Sequence, residues 1–139
     1  MKKKLIVIAI LMFLASCAHV DVKDDTSALK ERVSGFWNAK QNKEWTKAYG
    51  FHCAGFKANI AKEKYGASAN LNITHFDLGD ITFSENNHKA VVNISFQANV
   101  QGFSLKDIKI KEEWINENSK WYHCPSIQSY KDMFKPKKQ

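Results

Sequence analysis

No Gly-rich phosphate loop, Walker sequence, Gly-x-Ser-x-Gly elbow or His-Glu-x-x-His stretch occurs in the 139 residues. The nucleotide-hydrolysing, serine-hydrolase and zinc-protease mechanisms that need those geometries are therefore not signalled. Internal repeats and low-complexity segments are absent too, which excludes solenoids and arrays. The one pronounced apolar run, residues 5–14, is followed almost at once by His19, Asp21, Lys23, Asp24 and Asp25. It falls short of the roughly 20 residues that a spanning helix needs. Proline occurs twice and cysteine three times, so no dense disulfide scaffold is available and the fold has to rest on an apolar core.

What is present begins with an address. Lys2, Lys3 and Lys4 precede the apolar run, and Ala15 and Ser16 stand directly before Cys17, the charged, apolar and small-residue order of a secretory signal peptide. The stretch Leu14-Ala15-Ser16-Cys17 resembles the lipobox of bacterial lipoproteins. That resemblance implies removal of residues 1–16, lipidation of the Cys17 sulfur and acylation of the new amino terminus. Several acyl chains, at about 0.8 kcal/mol per buried methylene, give stable attachment to membrane lipid where one chain gives only marginal binding. Ala18 follows where an aspartate would signal retention in the inner membrane; the implied location is the outer membrane, facing the periplasm.

Residues 17–25 are short, charged and aperiodic and read as a lipidated tether, residues 26–127 as one domain, and residues 128–139 as a basic tail. A mature chain of this length buries a core without staples. Loss of Lys2, Lys3 and Lys4 lowers the formal charge from +7 to +4, and the remaining lysines are spread as on a solvated surface. Lys131, Lys135, Lys137 and Lys138 crowd the tail; they are either a frayed soluble end or a contact to anionic headgroups, at about 1 kcal/mol per lysine. An exported chain is not expected to meet nucleic acid. Cys53 and Cys124 remain once Cys17 carries lipid, and an oxidising compartment permits a bridge between them. Two separately buried thiols are the alternative.

A helix is predicted from Thr26 or Ser27, with Leu29, Val33, Phe36 and Trp37 on one apolar stripe. A second is predicted behind Asn42 as cap, carrying Trp45, Ala48 and Tyr49, and a third between Gly55 and Gly66 with Phe56, Ile60, Ala61 and Tyr65, Gly66 serving as a left-handed stop. The period then changes to alternation: strands over residues 71–78 and 81–84, a turn at residues 85–88, and a half-buried strand through Val92, Ile94, Phe96, Ala98 and Val100. Residues 103–115 and 120–124 read as two more strands, separated by a turn and ended by Pro125. Helices first and consecutive strands after them predict an α+β domain, its N-terminal helices packed on a curved antiparallel sheet.

The stretches FWNAKQNKEWTKAY, residues 36–49, and KEEWINENSKWYHC, residues 111–124, resemble the cone-shaped, cystatin-like superfamily of nuclear transport factor 2, ketosteroid isomerase and SnoaL-like proteins. The resemblance implies a pocket between the curved sheet and its helices. It leaves the activity open, because that scaffold serves enzymes, binding modules and dimerisation units alike.

Three residues are candidates for lining such a pocket. If Ile108, Ile110 and Trp114 face inward, Glu112 does too, and burial would raise its pKa toward the range useful for proton transfer. A bulge near Asp107, or a place at the rim beside a lysine, is the alternative. His75 and Asp77 share the alternation of Leu71 and Ile73 and so are expected on the inner face. No spacing ties Tyr49, Tyr65 or Tyr122 to either acid, so the isomerase roles do not map residue by residue. His52-Cys53 and His123-Cys124 together offer four zinc-type donors, but adjacent residues of a strand point to opposite faces, and no metal or cofactor is expected. The leading expectation is a non-catalytic envelope lipoprotein binding a small apolar ligand, a peptide or an envelope partner. A small isomerase or dehydratase with Glu112 or Asp77 as general base is the alternative, and a homodimer formed through the sheet is a third.

Overall fold

A computed structural model describes residues 22–66, 71–84 and 86–132. The expected signal peptide, Cys17, the start of the tether and residues 133–139 lie outside the described residues. Helix α1 spans Val22–Gln41, so the chain is already helical before the predicted start at Thr26 or Ser27. Leu29, Val33, Phe36 and Trp37 are all buried, as the stripe predicts.

The end of α1 corrects the second predicted cap. Lys43 is left-handed, with φ of 60°, and its N–H donates to Lys40 O while that of Glu44 donates to Ala39 O. This is the Schellman pattern that closes a helix, so Asn42 belongs to the stop of α1. Helix α2, Trp45–Gly50, starts after Glu44 with no side-chain cap. The third predicted helix is two, α3 at Ala54–Asn59 and α4 at Lys62–Gly66, because Ile60 turns extended between them. Gly66 is the last residue of α4 and has no positive φ.

Strands β1 (Asn72–Phe83), β2 (Lys89–Val100), β3 (Phe103–Glu117) and β4 (Lys120–His123) form one antiparallel sheet in the order β1-β2-β3-β4. The β2–β3 hairpin turns on Gln101 and Gly102, with φ of 48° and 86°, the pair of positive values that a two-residue turn with the sheet's twist demands. The two strands expected over residues 71–84 are the single β1, with register shifts between Ile73 and His75 and between Leu78 and Ile81. Each extra residue flips the faces, and the result puts Ile73, Phe76, Leu78, Ile81 and Phe83 on the core side. A third irregularity lies in β3 opposite Phe96 and Ala98, where Asp107 has φ of 54°. Before it Phe103 and Leu105 are exposed; after it Ile108, Ile110, Glu112 and Trp114 turn inward.

Helix α1 lies across the inner face and β4's margin, and its Trp37 ring packs 5.8 Å from Phe76 and 5.1 Å from Phe96. Beyond Pro125, Ile127–Asp132 form a short helix α5, so order continues into the expected tail. Its Tyr130 ring meets Phe56 edge-on at 5.0 Å. Among the described residues, no helix is long and apolar enough to cross a membrane.

Candidate functional site

Glu112 is 4% exposed. It sits on β3 opposite Val92 of β2, beneath α1, in a wall of aromatic rings. Trp114, two residues along the same face, donates its indole N–H to Glu112 Oε2 at 3.2 Å. His123 of β4 brings Nε2 to 3.9 Å from Oε1, beyond hydrogen-bond reach. Burial pushes the carboxyl above the usual carboxylate range; the Lys40 charge and the indole N–H groups of Trp37 and Trp114 oppose that shift. The Trp37 N–H acts through proximity, since it makes no hydrogen bond of full geometry. Lys40, one helical turn beyond Phe36 and Trp37, lays its ammonium 3.8 Å over the Trp37 ring. Burial lowers its pKa and Glu112 opposes that. The bulge at Asp107 was one way for Glu112 to face outward; the bulge exists, but it changes the phase only of the residues before it.

Two histidines complete the cluster, and the sequence hid their pairing. His52 and His123 are bridged in parallel: the Cys53 N–H donates to His123 O at 3.0 Å and the His123 N–H to Phe51 O at 2.9 Å. Residues paired this way point their side chains to the same side, so the imidazoles meet with centroids 4.9 Å apart. The following residues, Cys53 and Cys124, are joined by a disulfide. The repeated His-Cys dipeptide is therefore one cross-linked rung. His52 is 2% exposed, stacks on Phe56 at 4.0 Å, and neither of its ring nitrogens has a partner among the described residues. Burial, followed by His123, drives the His52 pKa down to about 2; burial, followed by Lys40, drives that of His123 down to about 3. Both imidazoles are neutral at physiological pH.

His75 and Asp77 are not part of this cluster. The bulge after Ile73 reverses their expected face, and they lie exposed on β1, bonded to each other at 3.0 Å. Tyr49 spends its hydroxyl on Ile60 O at 2.8 Å. Tyr65 is buried, and burial first, then Tyr130 and Glu112, raise its pKa. Among the described residues no three His, Cys, Asp or Glu side chains are grouped to hold a metal ion. Grooves of about 430 and 470 Å³ run along the outer face of the sheet. The first is edged by Asp80, Asn93, Ser95, Lys109 and Lys111 and the second by Val91, Glu113, Ile115 and Cys124; Glu112 lines neither.

The architecture matches a solved nuclear transport factor 2-like protein from Cytophaga hutchinsonii, with a TM-score of 0.51 at 13% identity, over 70% of this chain and 91% of that one. The domain thus has the NTF2-like α+β cone fold expected from its aromatic stretches. No protein-family model and no curated protein matches the sequence.

Proposed function

We propose that the chain is a lipid-anchored protein of the bacterial cell envelope whose NTF2-like domain is a non-catalytic binding module for a small ligand, an envelope partner or a second copy. One observation carries the binding reading: the carboxylate that chemistry would need is enclosed by Trp37, Trp114, Lys40 and His123, while the grooves lie on the opposite face of the sheet. The anchor reading rests on Leu14-Ala15-Ser16-Cys17. A Cys53–Cys124 disulfide suits an oxidising compartment, in keeping with a periplasm-facing outer-membrane protein. With α1 beginning at Val22, the tether between sulfur and helix is a few residues long, at most about 3.5 Å each, and holds the domain close to the bilayer.

A second reading has its own observation. Glu112, with its raised pKa and His123 at 3.9 Å, has the makings of a proton-transfer pair for an isomerase or dehydratase, provided the pair closes on a substrate. Mass spectrometry of the native protein should find an acylated Cys17 as first residue, and Cys17→Ser should leave an unprocessed precursor; an intact Met1 in native material overturns the anchor. Glu112→Gln should support the chain's cellular role unchanged. Loss of that role with the fold intact would favour the enzyme.

A further inference from the structure

Arg32 is the only arginine in the sequence, and it is set among aromatic rings. From the middle of α1 it reaches the margin of β4, where Nε donates to Trp121 O at 2.9 Å. Its guanidinium lies 4.3 Å over the Phe51 ring and 5.5 Å from the Tyr122 ring, a planar cation held between aromatic faces. Phe51 comes this close to α1 because residue 35 is glycine: a Cβ there would lie 3.0 Å from Phe51 Cζ. The Nη groups of Arg32 donate to no described residue.

Two lysines lie nearby, Lys57 with its Nζ 5.8 Å from the neighbouring Tyr49 ring and Lys120 beside Tyr122. Lys57 of α3 donates Nζ to Gly50 O, beside Phe51, at 3.1 Å, and Lys120 of β4 places Nζ 5.8 Å from the Tyr122 ring. Glu31, beside Arg32 in the chain, acts on it through its charge without forming an ion pair, and no described acid is ion-paired to Arg32, Lys57 or Lys120. The three charges sense one another: burial first, then Arg32 and Lys120, hold the Lys57 ammonium below its ordinary value. Three cations, none ion-paired to a described acid, two flexible and one a planar fork fixed on Phe51 and Tyr122, match a tetrahedral anion of charge near −2. The fork takes two oxygens side by side and the ammonium groups take the others. A single carboxylate would leave much of that charge unmatched.

From this geometry we infer that Arg32, Lys57 and Lys120 form a binding site for a phosphate group, on a free phosphate compound or on a lipid headgroup. Arg32 lies ten residues beyond Val22, roughly 15 Å along α1. The site gives the binding role proposed above a ligand class; its free-phosphate arm is independent of the lipid anchor, and only its headgroup arm rests on that anchor.

The test uses the full chain in phosphate-free detergent, following the Arg32 Nε resonance and the Phe51 and Tyr122 amides by NMR. Inorganic phosphate should give saturable shifts and bind about tenfold more tightly than acetate, and Arg32→Lys, which loses the fork, should weaken it by about tenfold. Lys57→Gln/Lys120→Gln, which touches no core contact, should weaken it likewise and covers the case in which Arg32→Lys does not fold. In a second arm the native lipidated chain is reconstituted in phosphatidylcholine vesicles with or without phosphatidic acid. Saturation by free phosphate assigns a soluble ligand; shifts that require phosphatidic acid and vanish in the lysine variant assign a headgroup. Shifts that acetate reproduces, that both variants retain, or that appear in neither arm overturn the site.

Discussion

Among the described residues two acid–histidine pairs occur, and the closer one matters less. His75 and Asp77 touch at 3.0 Å on β1 with side chains 58% and 67% exposed; in water such a pair contributes under about 1 kcal/mol. His123 and Glu112 stand at 3.9 Å with 11% and 4% exposed. There the low dielectric disfavours every charge, lifting the carboxyl and emptying the imidazole of its proton. Solvent, more than separation, decides what an acid and a histidine do to each other.

The largest test of that contrast removes the covalent rung behind the buried pair. Reduction, or Cys53→Ser/Cys124→Ser, opens a loop spanning 71 residues and should cost about 4 kcal/mol in a urea titration; the exposed pair offers no equivalent. Acid is next. His52 and His123 titrate near 6.5 when unfolded and at about 2 and about 3 when folded, so the unfolded chain takes up protons first. Stability should hold above pH 6.5 and fall below it by about 1.4 kcal/mol per pH unit for each histidine. His52→Phe, which keeps the stack on Phe56, should flatten that slope; an unchanged slope would mean that the imidazoles are not neutral in the fold.

Glu112 carries the opposite sign. Its folded pKa is raised, so its contribution is most favourable in acid and is lost as pH rises through that value. Glu112→Gln should therefore match wild type at low pH and gain up to about 1 kcal/mol at pH 7. A loss of about 3 kcal/mol or more would mean that Lys40 depends on the charge. Smallest of all, Asp77→Asn should shift stability by less than about 0.5 kcal/mol at any pH; a larger shift would dissolve the contrast.

Much of this was legible in residue order. The stripe Leu29, Val33, Phe36, Trp37 and the alternation from Val92 to Val100 each report which side a residue buries, and both hold in the structure. The phase of Ile108, Ile110 and Trp114 offered Glu112 an inward place as one of two readings, and the structure buries it. Alternation failed at β1, because a bulge adds a residue without changing composition: Ile73 faces the core while His75 and Asp77, in the same nominal phase, face water. Lys40 left a readable trace, a lysine continuing the apolar stripe of α1. The joining of His52 to His123 and the gathering of Arg32, Lys57 and Lys120 left none, since each depends on where β4 meets segments about 60 to 90 residues earlier.

The margins of the sheet have a consequence for how copies of this chain can meet. β4 offers little open backbone, because Arg32 takes the Trp121 carbonyl and residues 51–53 bond to His123. β1 is broken twice by bulges, and the part of β3 that runs beyond β4 carries Lys106, Lys109 and Lys111. Bulges and edge lysines obstruct strand-to-strand addition. Edges built this way obstruct copies of the chain from growing into a common fibril.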